Sequence, residues 1–74
     1  MSGKPVKHSV TLQGHRTSIS LEDAFWDEFR AIAASQGQPI NALVAQIDAE
    51  RDVDTGLASA IRLFVLRRLK DRLP

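Results

Sequence analysis

Six residues, Arg16-Thr17-Ser18-Ile19-Ser20-Leu21, alternate strictly and run straight into a helix-forming stretch that begins at Glu22. Successive strand side chains point to opposite sides of the pleat. Arg16, Ser18 and Ser20 therefore share one face, and Thr17, Ile19 and Leu21 share the other. What each face touches decides what the chain can fold into.

The stretch before it reads as a partner. Ser9-Val10-Thr11-Leu12 is a short strand candidate, and Gln13-Gly14 is a two-residue turn, weaker than Asn-Gly. If Leu12 faces His15, then Val10 faces Thr17 and His8 faces Ile19. That register puts Val10, Leu12, Ile19 and Leu21 on one side and Ser9, Thr11, Arg16, Ser18 and Ser20 on the other, so both strands agree on the apolar face. Residues 1–8, with Gly3, Pro5, Lys4 and Lys7, have nothing periodic to bury and read as a flexible basic arm.

Three helices are expected after the strand. The first runs from Glu22 to about Gln36, with Phe25, Phe29, Ile32 and Ala33 on one stripe. Ser20 and Asp23 are placed to form an acidic capping box, and Gly37 supplies the left-handed residue that closes a helix. The second runs from Pro39, at the first helical position, to about Glu50, with Ile40, Leu43, Val44 and Ile47 inward. After the polar connector at 51–56, in which Asp54 or Thr55 is able to cap, the third spans Leu57 to Leu73. Its middle, Ala60, Ile61, Leu63, Phe64, Val65 and Leu66, is apolar nearly all round, so it needs burial on more than one side. The fold class is mostly α with a short β-ribbon, residues 9–74 forming one domain.

A chain of 74 residues is one domain at most. Domains of roughly 60 residues bury only about 60% of their unfolded surface, so stability alone is marginal. With no cysteine to staple it and no cluster spaced to hold a metal, self-association is the expected remedy. The net charge of +1 conceals a sorted pattern. Residues 1–20 carry Lys4, Lys7 and Arg16 and no acid, a charge of +3. Residues 21–56 hold eight acids against Arg30 and Arg51, a charge of −6, and residues 57–74 hold five bases against Asp71, a charge of +4. A basic first segment suits a polyanion, and an acidic middle suits the side turned away from it. The apolar run Leu63–Leu66 is far short of the roughly 20 residues of a membrane span, and the N-terminus has no apolar leader core. A cytoplasmic location is expected, with no membrane association, cofactor or small-molecule substrate.

The alternating Arg16–Leu21, the stripe Phe25, Phe29, Ile32 and Ala33, and the segment Gly37-Gln38-Pro39-Ile40-Asn41-Ala42-Leu43-Val44 together resemble the ribbon-helix-helix (Arc repressor-like) DNA-binding family. The likeness covers Arg16 to about Glu50. The strand before Gln13 and the helix after Arg51 read as additions of a variant subgroup. The resemblance implies an intertwined homodimer in which the strand pairs antiparallel with its copy, and a ribbon that enters the major groove of double-stranded DNA. It implies base contacts from Arg16, Ser18 and Ser20, and a phosphate clamp at the start of the second helix, at Ile40 and Asn41. Lys4 and Lys7 are the further phosphate contacts expected. Pro39 stands where a capping serine or threonine is common. The implied dimer core is Ile19, Leu21, Phe25, Phe29, Ile32, Leu43, Val44, Ile47, Ile61, Phe64 and Val65, with Thr17 beneath the ribbon.

If Ser9–Leu12 pairs as an edge strand, the dimer sheet has four strands and is about 14 Å wide at a spacing of about 4.8 Å. The major groove is about 12 Å wide. Either the first strand peels back and lets Lys4 and Lys7 run along phosphates, or DNA is not bound in the family's usual way.

Arg16, Ser18 and Ser20 also suit a plain solvated strand face. His8 and His15 read as ordinary hairpin residues, Trp26 as dimer-interface packing, and the basic end Arg67–Arg72 as a dipole-friendly helix terminus. No serine, histidine and acid constellation suits catalysis, so the chain is not expected to be an enzyme. Two functions remain: a homodimeric DNA-binding transcriptional regulator, and a protein–protein interaction module, antitoxin-like or scaffold, that keeps the dimer fold without reading the groove.

Overall fold

The computed structural model describes residues 3–74, so the first two residues of the expected arm lie outside the described residues. The chain forms a hairpin of β1 (Val6–Leu12) and β2 (His15–Leu21), followed by α1 (Asp23–Ser35), α2 (Ile40–Glu50) and α3 (Leu57–Asp71). The antiparallel register pairs Leu12 with His15, Val10 with Thr17 and His8 with Ile19, as the apolar pattern requires. Gln13 and Gly14 have φ of 52° and 79°, the two left-handed residues of a type I′ turn, whose twist matches that of the strands it joins. β1 begins earlier than expected: Val6, Lys7 and His8 stand in the ladder and not in an arm. Their pairing extends the alternation back to Val6 opposite Leu21.

The helices start and stop for local reasons that differ in part from expectation. α1 begins at Asp23 behind Glu22, which has extended geometry and no side-chain cap, so Ser20 and Asp23 make no capping box. Ser20 is still inside β2, where its backbone is committed to extended geometry. At the other end Gly37 has φ +67°, its N–H donates to Ala34 O, and Gln38 N–H donates to Ala33 O. These two bonds form a Schellman closure. Pro39 precedes α2 as its N-cap, and its carbonyl accepts from Ala42 and Leu43 N–H. Gly56, not Asp54 or Thr55, occupies the N-cap of α3. Thr55 is held instead in a turn, its N–H on Asp52 O and its carbonyl accepting from Arg51.

One chain closes its own core. Val10, Ile19 and Leu21 from the hairpin meet Phe29, Ile32 and Ala33 of α1, Leu43, Val44 and Ile47 of α2, and Ile61 and Val65 of α3, all buried. Of the residues expected to form a dimer core, only Phe25 and Phe64 are partly exposed, and Phe64 packs edge-on against Phe29 at 6.2 Å. α2 packs against β1 and α3 against β2, so the two added elements complete the interior within the chain. Thr17 is exposed although it lies on the inner face, because the helices cover Ile19 and Leu21 but not the tip of the hairpin on the β2 side. α3 is buried along one side only, through Ile61 and Val65, and not on several. Among the described residues nothing covers Leu63 and Leu66, which stay about half exposed.

Candidate nucleic-acid interface

Cross-strand pairing sorts the outer face of the hairpin. Lys7 lies opposite Ser20, Ser9 opposite Ser18, and Thr11 opposite Arg16. All six side chains are on one face, Thr11 is partly covered and the rest are exposed, and none is acidic. The acids cluster past the strand, at Glu22, Asp23, Asp27 and Glu28 on and before α1. Lys4 precedes β1 and is also exposed.

The edges of this sheet are fixed by its turn. With a two-residue loop, the pair flanking it exchanges main-chain hydrogen bonds, and every second pair after it does so too. Leu12, Val10, His8 and Val6 therefore bond β2, while the N–H and C=O of Thr11, Ser9 and Lys7 point away from it. On β2 the outward groups are those of Arg16, Ser18 and Ser20. Two hydrogen bonds agree with this phase. Thr11 N–H donates to Asn41 Oδ1 at 3.0 Å, and Arg62 Nη2 reaches Ser20 O at 3.5 Å. Arg16 and Ser18 have no main-chain partner on that edge among the described residues.

Asn41 thus does two things. Its side chain ties the start of α2 to the outer edge of β1, and its main-chain N–H, like that of Ile40, has no acceptor among the described residues. The positive end of α2 is held beside Thr11, at the flank of the polar face. Pro39 has neither hydroxyl nor N–H, so no side chain competes for those donors.

At the far end of β2, Arg62 grips Glu22 in a two-pronged pair, Nε to Oε1 at 2.8 Å and Nη2 to Oε2 at 3.0 Å. These hydrogen bonds hold the Glu22 carboxyl below its ordinary pKa. Arg62 also lies over the Phe25 ring, 5.9 Å from its centroid. Its role has no signal in the sequence, since its partner is 40 positions away. Trp26 packs within the chain: it stacks on His8 at 4.1 Å and 11°, and touches Phe29 at 6.1 Å. His8 is accordingly half-buried, and its Nε2 lies 3.9 Å from Asp23 Oδ1. His15 is exposed beside the turn.

The hairpin and helices therefore assemble the elements that the sequence pattern implied, in the same order. Residues 5–69 match the family described as ribbon-helix-helix domain. The chain belongs to the ribbon-helix-helix family. The match takes in β1 and nearly all of α3, so both additions are part of this ribbon-helix-helix domain and not appendages to it. No curated protein and no solved structure matches the chain.

The structure brings Arg16, Ser18, Ser20 and Lys7 onto one face, with Ile40 and Asn41 at its flank and Lys4 just before it. It adds Ser9 and Thr11 to that face. β1 stays hydrogen-bonded to β2 along its whole length and does not peel back. Among the described residues no helix is long and apolar enough to cross a membrane.

Proposed function

We propose that this ribbon-helix-helix protein is a homodimeric, non-enzymatic DNA-binding protein that acts as a transcriptional regulator, a repressor in the simplest case, in the cytoplasm. The observation that carries the reading is the acid-free face Lys7, Ser9, Thr11, Arg16, Ser18 and Ser20 on a sheet whose β2 edge is open. Antiparallel pairing of two β2 strands about an axis at Ser18 sets Ser18 against its copy and Arg16 against Ser20 of the second chain. That register uses the outward main-chain groups of all three residues. A two-fold axis normal to the sheet keeps both polar faces on the same side.

The resulting sheet has order β1-β2-β2-β1 and is about 14 Å across, against a major groove about 12 Å wide and about 8.5 Å deep. The two β2 strands lie over the groove and the two β1 strands over its walls. At the walls Lys7, Lys4 and the free N–H groups of Ile40 and Asn41 meet phosphates. A serine hydroxyl stands one bond beyond Cβ, whereas the arginine side chain reaches into the groove. Base preference therefore rests mainly on Arg16, with bidentate guanine contact as its chemistry, and Ser18 and Ser20 hold the nearer groups.

With Lys4 and Lys7 from each chain at the groove walls, about four phosphates are within reach, so the logarithm of the binding constant should fall with that of salt with a slope of about −4. Fluorescence anisotropy with a random duplex, from low to physiological salt, tests this. Failure to bind random duplex at low salt would sink the DNA reading. The width of the sheet would then favour the second reading, a dimer that presents the same face to a protein.

A further inference from the structure

The outer side of α3 is the largest feature that the DNA-binding reading leaves unused. On α3, Leu63, Leu66 and Leu69 are 46%, 50% and 37% exposed and recur every third residue along one face, and Leu73, 70% exposed, follows just past the helix end. Isolated exposed leucines need no explanation, but a contiguous row on one helix marks a contact surface. Beside the row, an open depression of ≈ 180 Å³ is lined by Ala24, Phe25, Glu28, Val65 and Leu69, mainly apolar atoms and wide enough for one leucine side chain.

We propose that a second copy of this chain covers that row, so that the β2 edge and the leucine face of α3 form one continuous homodimer interface. The proposal rests on the dimer part of the function given above and extends it to residues that a two-stranded pairing does not touch. Three observations select a second copy as the occupant. First, α3 lies under β2 and α2 lies under β1, so α3 is the helix nearest the open edge. Pairing two β2 strands about their two-fold axis brings the two α3 helices together beneath them. Second, Arg62 joins the two surfaces: it stands on α3 one turn before Leu66, and its guanidinium touches Ser20 O on the outward edge of β2. Third, strand pairing alone is too small. Seven residues at about 3.3 Å each give a strip about 23 Å long and about 5 Å wide. Specific interfaces bury about 800 Å² per partner, so most of the area has to come from elsewhere. The leucine face and the depression beside Leu69 are the apolar surface contiguous with that strip. In this arrangement a leucine of one α3 seats in the depression of the other, and exposed Thr17 on the inner face lies at the same boundary.

The test is the mass in solution of the intact chain by sedimentation equilibrium across a range of concentrations, with three variants. Leu66→Glu places a charge in the centre of the row at an already exposed site, so the fold should persist by circular dichroism. Ser18→Pro removes an outward N–H that the hairpin does not use. Val53→Glu is a control at a fully exposed valine away from the row. The expected result is a wild-type dimer whose dissociation constant rises on the order of 100-fold in both Leu66→Glu and Ser18→Pro, and is unchanged in Val53→Glu. A dimer that Leu66→Glu leaves as tight as wild type while Ser18→Pro dissociates it overturns the α3 interface and leaves strand pairing standing. Loss in Leu66→Glu with none in Ser18→Pro overturns the continuity of the two surfaces. A wild-type chain that stays monomeric throughout overturns the dimer itself and this proposal with it.

Discussion

The two edges of the hairpin are built from similar residues, and each has one outward main-chain group engaged, by a different helix. On β1, the outward N–H of Thr11 is taken by Asn41 of α2, which packs against that strand, while the outward main-chain groups of Ser9 and Lys7 have no partner among the described residues. On β2, Arg16 and Ser18 keep their outward groups unused, and only Ser20 O is approached, by Arg62. An unpaired edge is a template for another strand, and what distinguishes the two edges is the neighbouring helix, α2 with Asn41 beside β1 and α3 with Arg62 beside β2. With the added strand in place, the outward main-chain groups of Arg16 and Ser18 remain unused, so β2 still has groups to offer another strand. The extra strand went to the far side of β2.

The largest effect that bears on this contrast comes from the core beneath β2. Ile61 is fully buried in α3, under β2. Ile61→Ala should cost about 2–5 kcal/mol of stability in urea denaturation. The midpoint should rise with protein concentration in wild type and variant alike, because dimerisation stabilises the folded chain. The next effect compares two residues that face each other across the strands. Arg16→Ala on β2 should weaken duplex binding by about 1–3 kcal/mol and relax base preference. Thr11→Ala, its cross-strand neighbour on β1, should change binding by less than about 0.5 kcal/mol, as surface substitutions do. Equal losses at both positions, measured by anisotropy on one duplex, would erase the distinction between the strands.

The smallest effect is a pH dependence at the Arg62 end of β2. Because the folded pKa of Glu22 is lowered by the hydrogen bonds from Arg62, its contribution is present above the ordinary glutamate range and is lost as pH falls through the lowered value. Glu22→Gln should therefore lower stability near neutrality, where the pair is intact, and flatten the acid limb, so that variant and wild type converge as pH falls through the lowered value. An unchanged acid limb would show that Arg62 does not anchor the start of α1 to the end of β2.

Much of the fold was legible because its signals are local. Alternation in Val10–Leu12 and Ile19–Leu21 is enough to set the register, since a slip of one residue would turn every apolar side chain outward. Gly37 ends α1 because a left-handed residue is needed there and glycine takes it without strain. The boundaries that differ have equally local causes: Ser20 is held in β2, and a proline ahead of α2 serves as N-cap through its carbonyl. The start of β1 was hidden because Pro5, Lys7 and His8 resemble an arm until Trp26 supplies a surface for the imidazole. The polar face was visible as Arg16, Ser18 and Ser20. Its enlargement by Lys7, Ser9 and Thr11 depends on β1 remaining paired, which no single strand reveals.

By itself the sequence determined the elements, their order, the strand register and the apolar face, which follow from periodicities of two and 3.6 residues and from turn chemistry, while its motifs carried the resemblance to the family. Only the tertiary structure decided how the pieces close. It set α3 under β2, locked Asn41 onto Thr11, joined Arg62 to Glu22, and left a row of leucines facing outward. These contacts join residues 30 to 42 positions apart, and such pairings depend on the packing of whole elements against one another. A helix apolar on every side states that it must be covered, and the fold shows which side one chain leaves bare.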